Sequence, residues 1–349
     1  MKTLLTKLKR ILFPEKKGDS LICSEIFESL SILADGSVTC GCVDIYEDRI
    51  LGNVNREQLR NIFDNERYKL LRKSMLDGNL PPQCINCPLR VRRRTGNEKI
   101  EACTITWLQI DPIFNCNLKC PDCAFTEMRE NNYFIRPRTA ISLETFKNTI
   151  DQVTPTLKHI RFHMLGEPFL NKKAMDMIAY AKKKIPDVFI SIETNGILVE
   201  PDIQKSLVKQ RVDYVKFSID GASQESYEKY RVGGDFQKAY ENMAGLVRER
   251  NSQAADRPRV VWQYILFKWN DSDEEIKKAQ KLAEKAEVDE LYWLLTHSRG
   301  ASDRFLPGKQ YPIFLHKGQS LNVTIDLAAT KRIPMIRPPL TPHGYDPWK

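Results

Sequence analysis

Cys116, Cys120 and Cys123 form a C-x3-C-x2-C run within Phe114-Asn-Cys-Asn-Leu-Lys-Cys-Pro-Asp-Cys123. Three closely spaced thiolates can hold three irons of a [4Fe–4S] cubane and leave the fourth iron open to an outside ligand. A C-x2-C pair alone could equally hold zinc, but a run of three lacks the fourth ligand that closes a structural zinc site. All nine cysteines of the chain lie within its first 123 residues. The odd count, in a chain of 349 residues, does not suit a disulfide framework, so metal or redox chemistry is the better reading.

The elements that must position the triplet follow from patterning. From residue 105 onward, strands are predicted at 106–113, 159–165, 188–194, 214–220, 259–267 and 290–295. Helices are predicted at 142–153, 172–184, 202–209, 236–249 and 272–286. Such alternation argues for a parallel sheet. With no Gly-rich nucleotide-binding first turn, the expected α/β fold is a partial (β/α)6 TIM-like barrel. The triplet follows the first strand, at the strand end where barrel active sites are built. Upstream, Leu30-Ser-Ile-Leu33 reads as a strand, Asp35-Gly36 as a hairpin turn and Ser37-Val-Thr39 as the return strand. Asn55 to Asp77 carries a helical pattern. The expected organisation is a basic amphipathic helix at 1–19, a small cysteine-rich α+β unit at 20–104, the barrel at 105–298 and a Pro-rich capping tail at 299–349.

Composition narrows the function classes. Hydrophobic residues make up 42% of the chain, enough for a large core. No apolar run approaches the ~20 residues of a membrane span. The basic first 17 residues lack a small-residue cleavage site, so a cytoplasmic location is expected. In that segment Leu4, Leu5, Leu8, Ile11 and Leu12 share helical spacing, opposite Lys2, Lys7, Lys9 and Arg10. It reads as a helix packed on its own domain or, more sharply, as a weak membrane-surface contact. The net charge of +9 points to anionic partners. No nucleic-acid-reading module is visible, so nucleic acid is not an expected partner. The run of Arg90, Arg92, Arg93 and Arg94 reads as a solvated linker or as a contact for a phosphate-bearing substrate.

The residues at successive strand ends resemble the radical S-adenosylmethionine (SAM) superfamily. Gly166-Glu167-Pro168, after the second strand, looks like the family's motif that holds the SAM amino group, with Leu165 in place of the usual first Gly. Thr194-Asn195-Gly196 ends the third strand. Ser218-Ile-Asp220-Gly221 ends the fourth, where the family places polar contacts to SAM. Arg231 resembles the Arg that pairs with the SAM carboxylate, and Gln263 on the fifth strand is a further candidate. Asp122 departs from the pattern, since the residue before the third Cys is often aromatic and packs on adenine; Phe125 is a candidate substitute. The resemblance implies a SAM-bound [4Fe–4S] cluster on Cys116, Cys120 and Cys123, an external electron donor such as flavodoxin or ferredoxin, and a 5′-deoxyadenosyl radical that takes hydrogen from a substrate.

A second resemblance concerns Ser31-Ile-Leu-Ala-Asp-Gly-Ser-Val-Thr-Cys-Gly-Cys42, Leu51-Gly-Asn-Val54 and Pro82-Gln-Cys-Ile-Asn-Cys87. These look like SPASM/twitch auxiliary-cluster domains, which usually follow the barrel and here precede it. The resemblance implies an auxiliary [4Fe–4S] cluster on Cys23, Cys40, Cys84 and Cys87, with Cys42 as the alternative to Cys40. A structural zinc site on the same four thiolates is the competing reading. Cys103 and Cys42 remain, either as buried bystanders or as hydrogen donors to a substrate radical. An abbreviated auxiliary unit on one barrel resembles enzymes acting on carbohydrate-type small molecules, phosphorylated or nucleotide-linked, by epimerisation or dehydrogenation. In dehydrogenation the auxiliary cluster would take the second electron. His163 and Glu193 are candidates to face the cavity. Radical modification of a ribosomally made peptide and a non-catalytic Fe–S scaffold are the alternatives.

Overall fold

The computed structural model of the chain describes residues 21–41, 50–79, 84, 91–92, 103–132, 137–296, 299–305 and 319–323. The expected N-terminal helix, Cys42, Cys87, Arg90, Arg93, Arg94 and the Pro-rich end lie outside the described residues. A short strand β1 (Leu21–Ile22) opens the described chain, followed by a one-turn helix α1 (Glu25–Glu28) and the hairpin of β2 (Ser29–Ile32) and β3 (Ser37–Cys40). Gly36 turns the hairpin at φ +86°, a left-handed conformation that glycine adopts without a Cβ clash. Then come β4 (Gly52–Asn53), α2 (Leu59–Phe63), α3 (Glu66–Leu76) and β5 (Val91–Arg92), the last antiparallel to β1. The helical pattern expected over Asn55–Asp77 is broken at Asn65. That residue leaves the helix to cap α3, its side chain accepting the Tyr68 N–H at 2.8 Å.

Strand–helix alternation follows. Its elements are β6 (Trp107–Ile110), α4 (Ala124–Glu130), α5 (Leu143–Val153), β7 (His159–Arg161), α6 (Ala174–Lys184), β8 (Phe189–Thr194), α7 (Pro201–Lys209) and β9 (Tyr214–Ser218). The chain continues through α8 (Gln224–Glu228), α9 (Phe236–Ser252), β10 (Arg259–Leu266), α10 (Asp273–Lys285), β11 (Glu290–Leu295) and β12 (Gln319–Val323). Local signals start the helices. The Ser142 and Asp235 side chains accept the N–H groups of Thr145 and Lys238, each at 2.9 Å, and Pro201 sits in the first turn of α7.

Strands β6 to β11 run parallel and in chain order, the partial (β/α) barrel that the alternation predicts. Three features differ from expectation. β12 extends the sheet parallel to β11, where an irregular tail was expected; five residues carry too little periodicity to announce a strand. At the other edge β2 pairs in parallel with β6, so the cysteine-rich hairpin continues the barrel's own ten-stranded sheet. Helices α1, α4 and α8, of four to seven residues, are too short for a 3.6-residue pattern to reveal. Among the described residues no helix is long and apolar enough to cross a membrane.

Alternation along the strands sorts the side chains onto two faces. Leu108, Ile160, Ile192, Phe217, Trp262 and Trp293 are buried on the face that the helices cover. There Phe146 of α5 meets Phe162 at 6.1 Å between ring centroids, and Tyr240 of α9 meets Trp262 at 6.0 Å. Each such side chain contributes about 1.5–3 kcal/mol on burial. The inner face carries Gln109, Arg161, Glu193, Lys216, Gln263 and Tyr292. The core therefore sits outside the sheet, and the reactive side chains are gathered within.

Candidate functional site

The loop leaving β6 carries Cys116, Cys120 and Cys123 as free thiols, Cys120 buried and the others half-buried. Phe114 and Phe125 brace it from beneath, edge to face at 5.2 Å, packed with Met128 and Ala34. Cys123 stands at the N-cap of α4, and the Leu118 N–H points at Cys116 Sγ from 3.5 Å. Burial pushes the Cys116 thiol up to about 11 and raises Cys120 as well, with the Arg231 charge opposing the rise at Cys120.

Neighbouring strand ends lock onto this loop. Gly166, after β7, has no room for a side chain: a Cβ would lie 1.9 Å from the Ile113 carbonyl oxygen and 2.6 Å from that of Asn115. The Glu167 N–H then donates to the same Asn115 carbonyl at 2.9 Å. The buried Glu167 carboxylate accepts from Thr194 Oγ1 at 2.7 Å and from the Asn195 N–H at 2.8 Å, joining the ends of β7 and β8. Burial pushes its pKa up to about 7. Asn195 Nδ2 donates in turn to Asn117 Oδ1, within the cysteine loop, at 2.8 Å.

Arg231 reaches the site from the segment after α8. Its Nη1 lies 3.7 Å from Cys120 Sγ and its Nε 2.5 Å from Asp220 Oδ2. Asp220 is completely buried, and its other oxygen accepts the Ile265 N–H at 2.6 Å. The expected direct cofactor contact is thus corrected: Asp220 has no surface to offer, and its carboxylate anchors Arg231. Phe125 is corrected likewise, since its ring is fully buried under the loop. Asp122 has φ +58°, accepts the Arg299 N–H at 3.0 Å and pairs with Arg299 Nε at 3.4 Å. A short polar side chain tolerates that left-handed turn better than an aromatic one. Ser218 and Gln263 meet across β9 and β10, with Gln263 Nε2 donating to Ser218 Oγ at 3.3 Å.

One step further into the barrel, His163, Glu193 and Lys216 form a belt. Glu193 Oε1 lies 2.9 Å from Lys216 Nζ and 3.3 Å from His163 Nε2. Burial would raise the Glu193 pKa, yet His163 and Lys216 together hold it well below the usual carboxylate range. Its side chain nevertheless keeps 37% exposure, toward the inner face. Among the described residues the buried His163 Nδ1 has no hydrogen-bond partner. Lys216 was not among the residues singled out from sequence; its only signal was two-residue spacing from Ser218 on one strand.

Three of the remaining described cysteines lie toward the opposite end of the strands. Cys103 precedes β6, Cys40 is paired with Leu30 near the start of β2, and Cys23 lies ahead of α1. Cys23, Cys40 and Cys103 are buried and Cys84 is half-buried. Burial first, with Cys40 nearby, pushes the Cys23 thiol up to about 12. The backbone carbonyl of Cys103 accepts from Arg60 Nη1 at 3.4 Å. Cys103 is therefore placed away from the triplet. Cys42, the other candidate hydrogen donor and the alternative to Cys40 as a ligand, lies outside the described residues, as does Cys87.

The model of the Radical SAM superfamily matches residues 110–283, and that of the SPASM iron–sulfur cluster-binding domain matches residues 23–88. The chain belongs to the radical SAM superfamily. Among curated relatives, the AdoMet-dependent heme synthase of Methanosarcina barkeri is 26% identical over 204 residues, 58% of this chain and 54% of that protein. The tungsten-containing aldehyde ferredoxin oxidoreductase cofactor-modifying protein of Pyrococcus furiosus is 31% identical over 116 residues, 33% of this chain and 30% of that one. The chain thus spans about a third to a half of the length of these relatives. Among solved structures, native anSMEcpe with bound AdoMet superposes with a TM-score of 0.43 at 18% identity, covering 54% of this chain and 50% of that chain.

As a radical SAM protein with a SPASM segment, the chain takes two [4Fe–4S] clusters and SAM as cofactors. The residues fit the SAM-bound cluster: Cys116, Cys120 and Cys123 on one loop would hold three irons of a cubane and leave the fourth open. The Arg231 cation beside Cys120 suits a negatively charged cluster, and Gly166 lets the end of β7 pack directly on the cysteine loop.

Proposed function

We propose that this radical SAM protein is an enzyme that abstracts hydrogen from a hydroxyl-bearing carbon of a carbohydrate-type small molecule, leading to epimerisation or dehydrogenation. When bound, the Cys116–Cys120–Cys123 cluster and SAM supply a 5′-deoxyadenosyl radical able to break an unactivated C–H bond. Arg231, held by Asp220, is positioned to pair with the SAM carboxylate. The Gly166–Glu167 backbone receives the amine, and Asn195, Ser218 and Gln263 offer polar contacts at the adjoining strand ends.

The observation that carries the substrate reading is the belt of His163, Glu193 and Lys216. Lys216 precedes Ser218 by two residues on β9, so the belt lies roughly 7 Å deeper than the proposed SAM contacts. Glu193 stays ionised and partly exposed there, an acceptor suited to a substrate hydroxyl. Lys216 balances its charge, which favours a neutral polyol end over a phosphate at this depth. An anionic group elsewhere on the substrate would suit the chain's net charge of +9.

The test is incubation of anaerobically reconstituted protein with SAM, a chemical reductant and a panel of sugars and cyclitols in deuterated water. Deuterium incorporation without other mass change marks epimerisation, and loss of two hydrogens marks oxidation. Turnover of peptides alone would replace this reading with radical modification of a ribosomally made peptide.

A further inference from the structure

Arg231 is held in place from several sides. Its N–H donates to the Tyr227 carbonyl at 2.8 Å, and its own carbonyl accepts the Gly234 N–H at 2.8 Å. The next residue, Val232, accepts the Lys119 N–H at 2.9 Å, which ties this segment to the cysteine loop one residue before Cys120. The Arg231 side chain is 13% exposed, with Cζ 5.3 Å from the Tyr230 ring centroid. Its nitrogens divide their contacts. Nε pairs with Asp220 at 2.5 Å, and Nη1 points at Cys120 Sγ from 3.7 Å. That second contact is to a cluster ligand and is separate from the pairing with the SAM carboxylate proposed above.

The other two thiols of the triplet meet different groups. Cys116 Sγ is approached by a neutral amide, the Leu118 N–H at 3.5 Å, and Cys123 is the N-cap residue of α4. A hydrogen bond from a charged donor to an anionic acceptor is roughly twice as strong as a neutral one. Asp220 does not cancel the cation at Cys120, because Arg231 acts on that thiol more strongly than the carboxylate does. One-electron reduction adds a negative charge to a cluster held on these thiolates. A fixed cation in a poorly solvated site stabilises the more negative state more strongly, and hydrogen bonds to the sulfurs are among the features that set a cluster's potential.

We infer that Arg231, through its contact with Cys120, raises the reduction potential of the SAM-binding [4Fe–4S] cluster and so favours electron transfer from the external donor. The inference rests on the triplet as that cluster's ligands and not on the substrate reading. It gives Arg231 a redox-tuning role that operates before SAM is bound.

The test uses the full chain with Cys84→Ala and Cys87→Ala, which removes two thiols of the N-terminal set so that iron loads at the triplet. After anaerobic reconstitution with iron and sulfide, and without SAM, the cluster is titrated with a low-potential chemical reductant and followed by electron paramagnetic resonance. Adding Arg231→Met is expected to lower the reduced-to-oxidised ratio at a given solution potential about tenfold, a shift of about 59 mV to more negative potential. That variant leaves Asp220 without its cation, so Arg231→Met combined with Asp220→Asn is measured beside it and is expected to shift the same way. Arg231→Lys keeps the charge and is expected to stay closer to the parent. Iron loss from both Met variants with retention in Arg231→Lys supports the charge of Arg231 as the cluster's partner. Unchanged midpoints in the iron-loaded Met variants overturn the inference, as does loss of iron from all three, which marks a packing role. A parent that takes up no iron overturns the ligand reading beneath it and is distinguishable from the other outcomes.

Discussion

At Gly166 a methyl group would have to enter space held by two backbone carbonyl oxygens, 1.9 and 2.6 Å from the Cβ position. Those carbonyls belong to the loop leading into Cys116. Gly166→Ala is expected to cost about 1–3 kcal/mol of stability and to lower iron uptake at the triplet, read by thermal melting and iron analysis. Glu167 carries a pH signature. Its pKa is about 7 in the folded chain against an ordinary 4.5, so the folded state binds more protons than the unfolded state between those values. Stability therefore falls as pH rises from about 4.5 to about 7, by roughly 3 kcal/mol from this group. Glu167→Gln should flatten that slope, whatever it does to absolute stability; denaturant titrations at pH 5 and 7.5 measure it. At the belt, Glu193→Gln keeps the shape and removes the ionised acceptor. Substrate-dependent formation of 5′-deoxyadenosine is expected to fall by at least about tenfold, the worth of a charge-assisted hydrogen bond.

Elements acquire their roles here through clasps between strand ends. The Asp220 carboxylate joins the end of β9 to β10 through Ile265 and holds Arg231 against the cysteine loop. Asp220→Asn loses the charge and sets an amide donor against one of two N–H donors. SAM binding to the cluster-loaded protein should weaken by about ten- to a hundredfold, measurable by calorimetry. Asn65 acts on the N-terminal side: it caps α3 and donates to the Leu51 carbonyl at 2.8 Å. Asn65→Ala is expected to lower stability by about 1 kcal/mol, seen as a shifted denaturant midpoint. The βα rhythm was legible in the sequence because each strand and helix carries its own period over many residues. Helices α1, α4 and α8 were not, because so few residues hold no period, and β12 takes its place from the open edge of β11.

For the whole molecule, the continuous sheet fixes the distance between two thiol sets. The triplet leaves the C-terminal end of β6, while Cys103 and Cys40 lie near its start, and the four residues of β6 alone span roughly 13 Å. The inner face with its charged belt runs between them. The triplet and the strand-end motifs were readable because ligand spacing and loop position are local properties. Lys216 and the Asp220–Arg231 pair were not assigned in these roles. Each depends on a partner 11 to 23 residues away, brought close only by the fold. The direct measurement of the central claim is 5′-deoxyadenosine formed when the reconstituted chain meets SAM and a low-potential reductant. The account predicts one-electron SAM cleavage that is abolished when Cys116, Cys120 and Cys123 are replaced by alanine. Absence of 5′-deoxyadenosine from the iron-loaded parent, or equal amounts from the substituted chain, would contradict it.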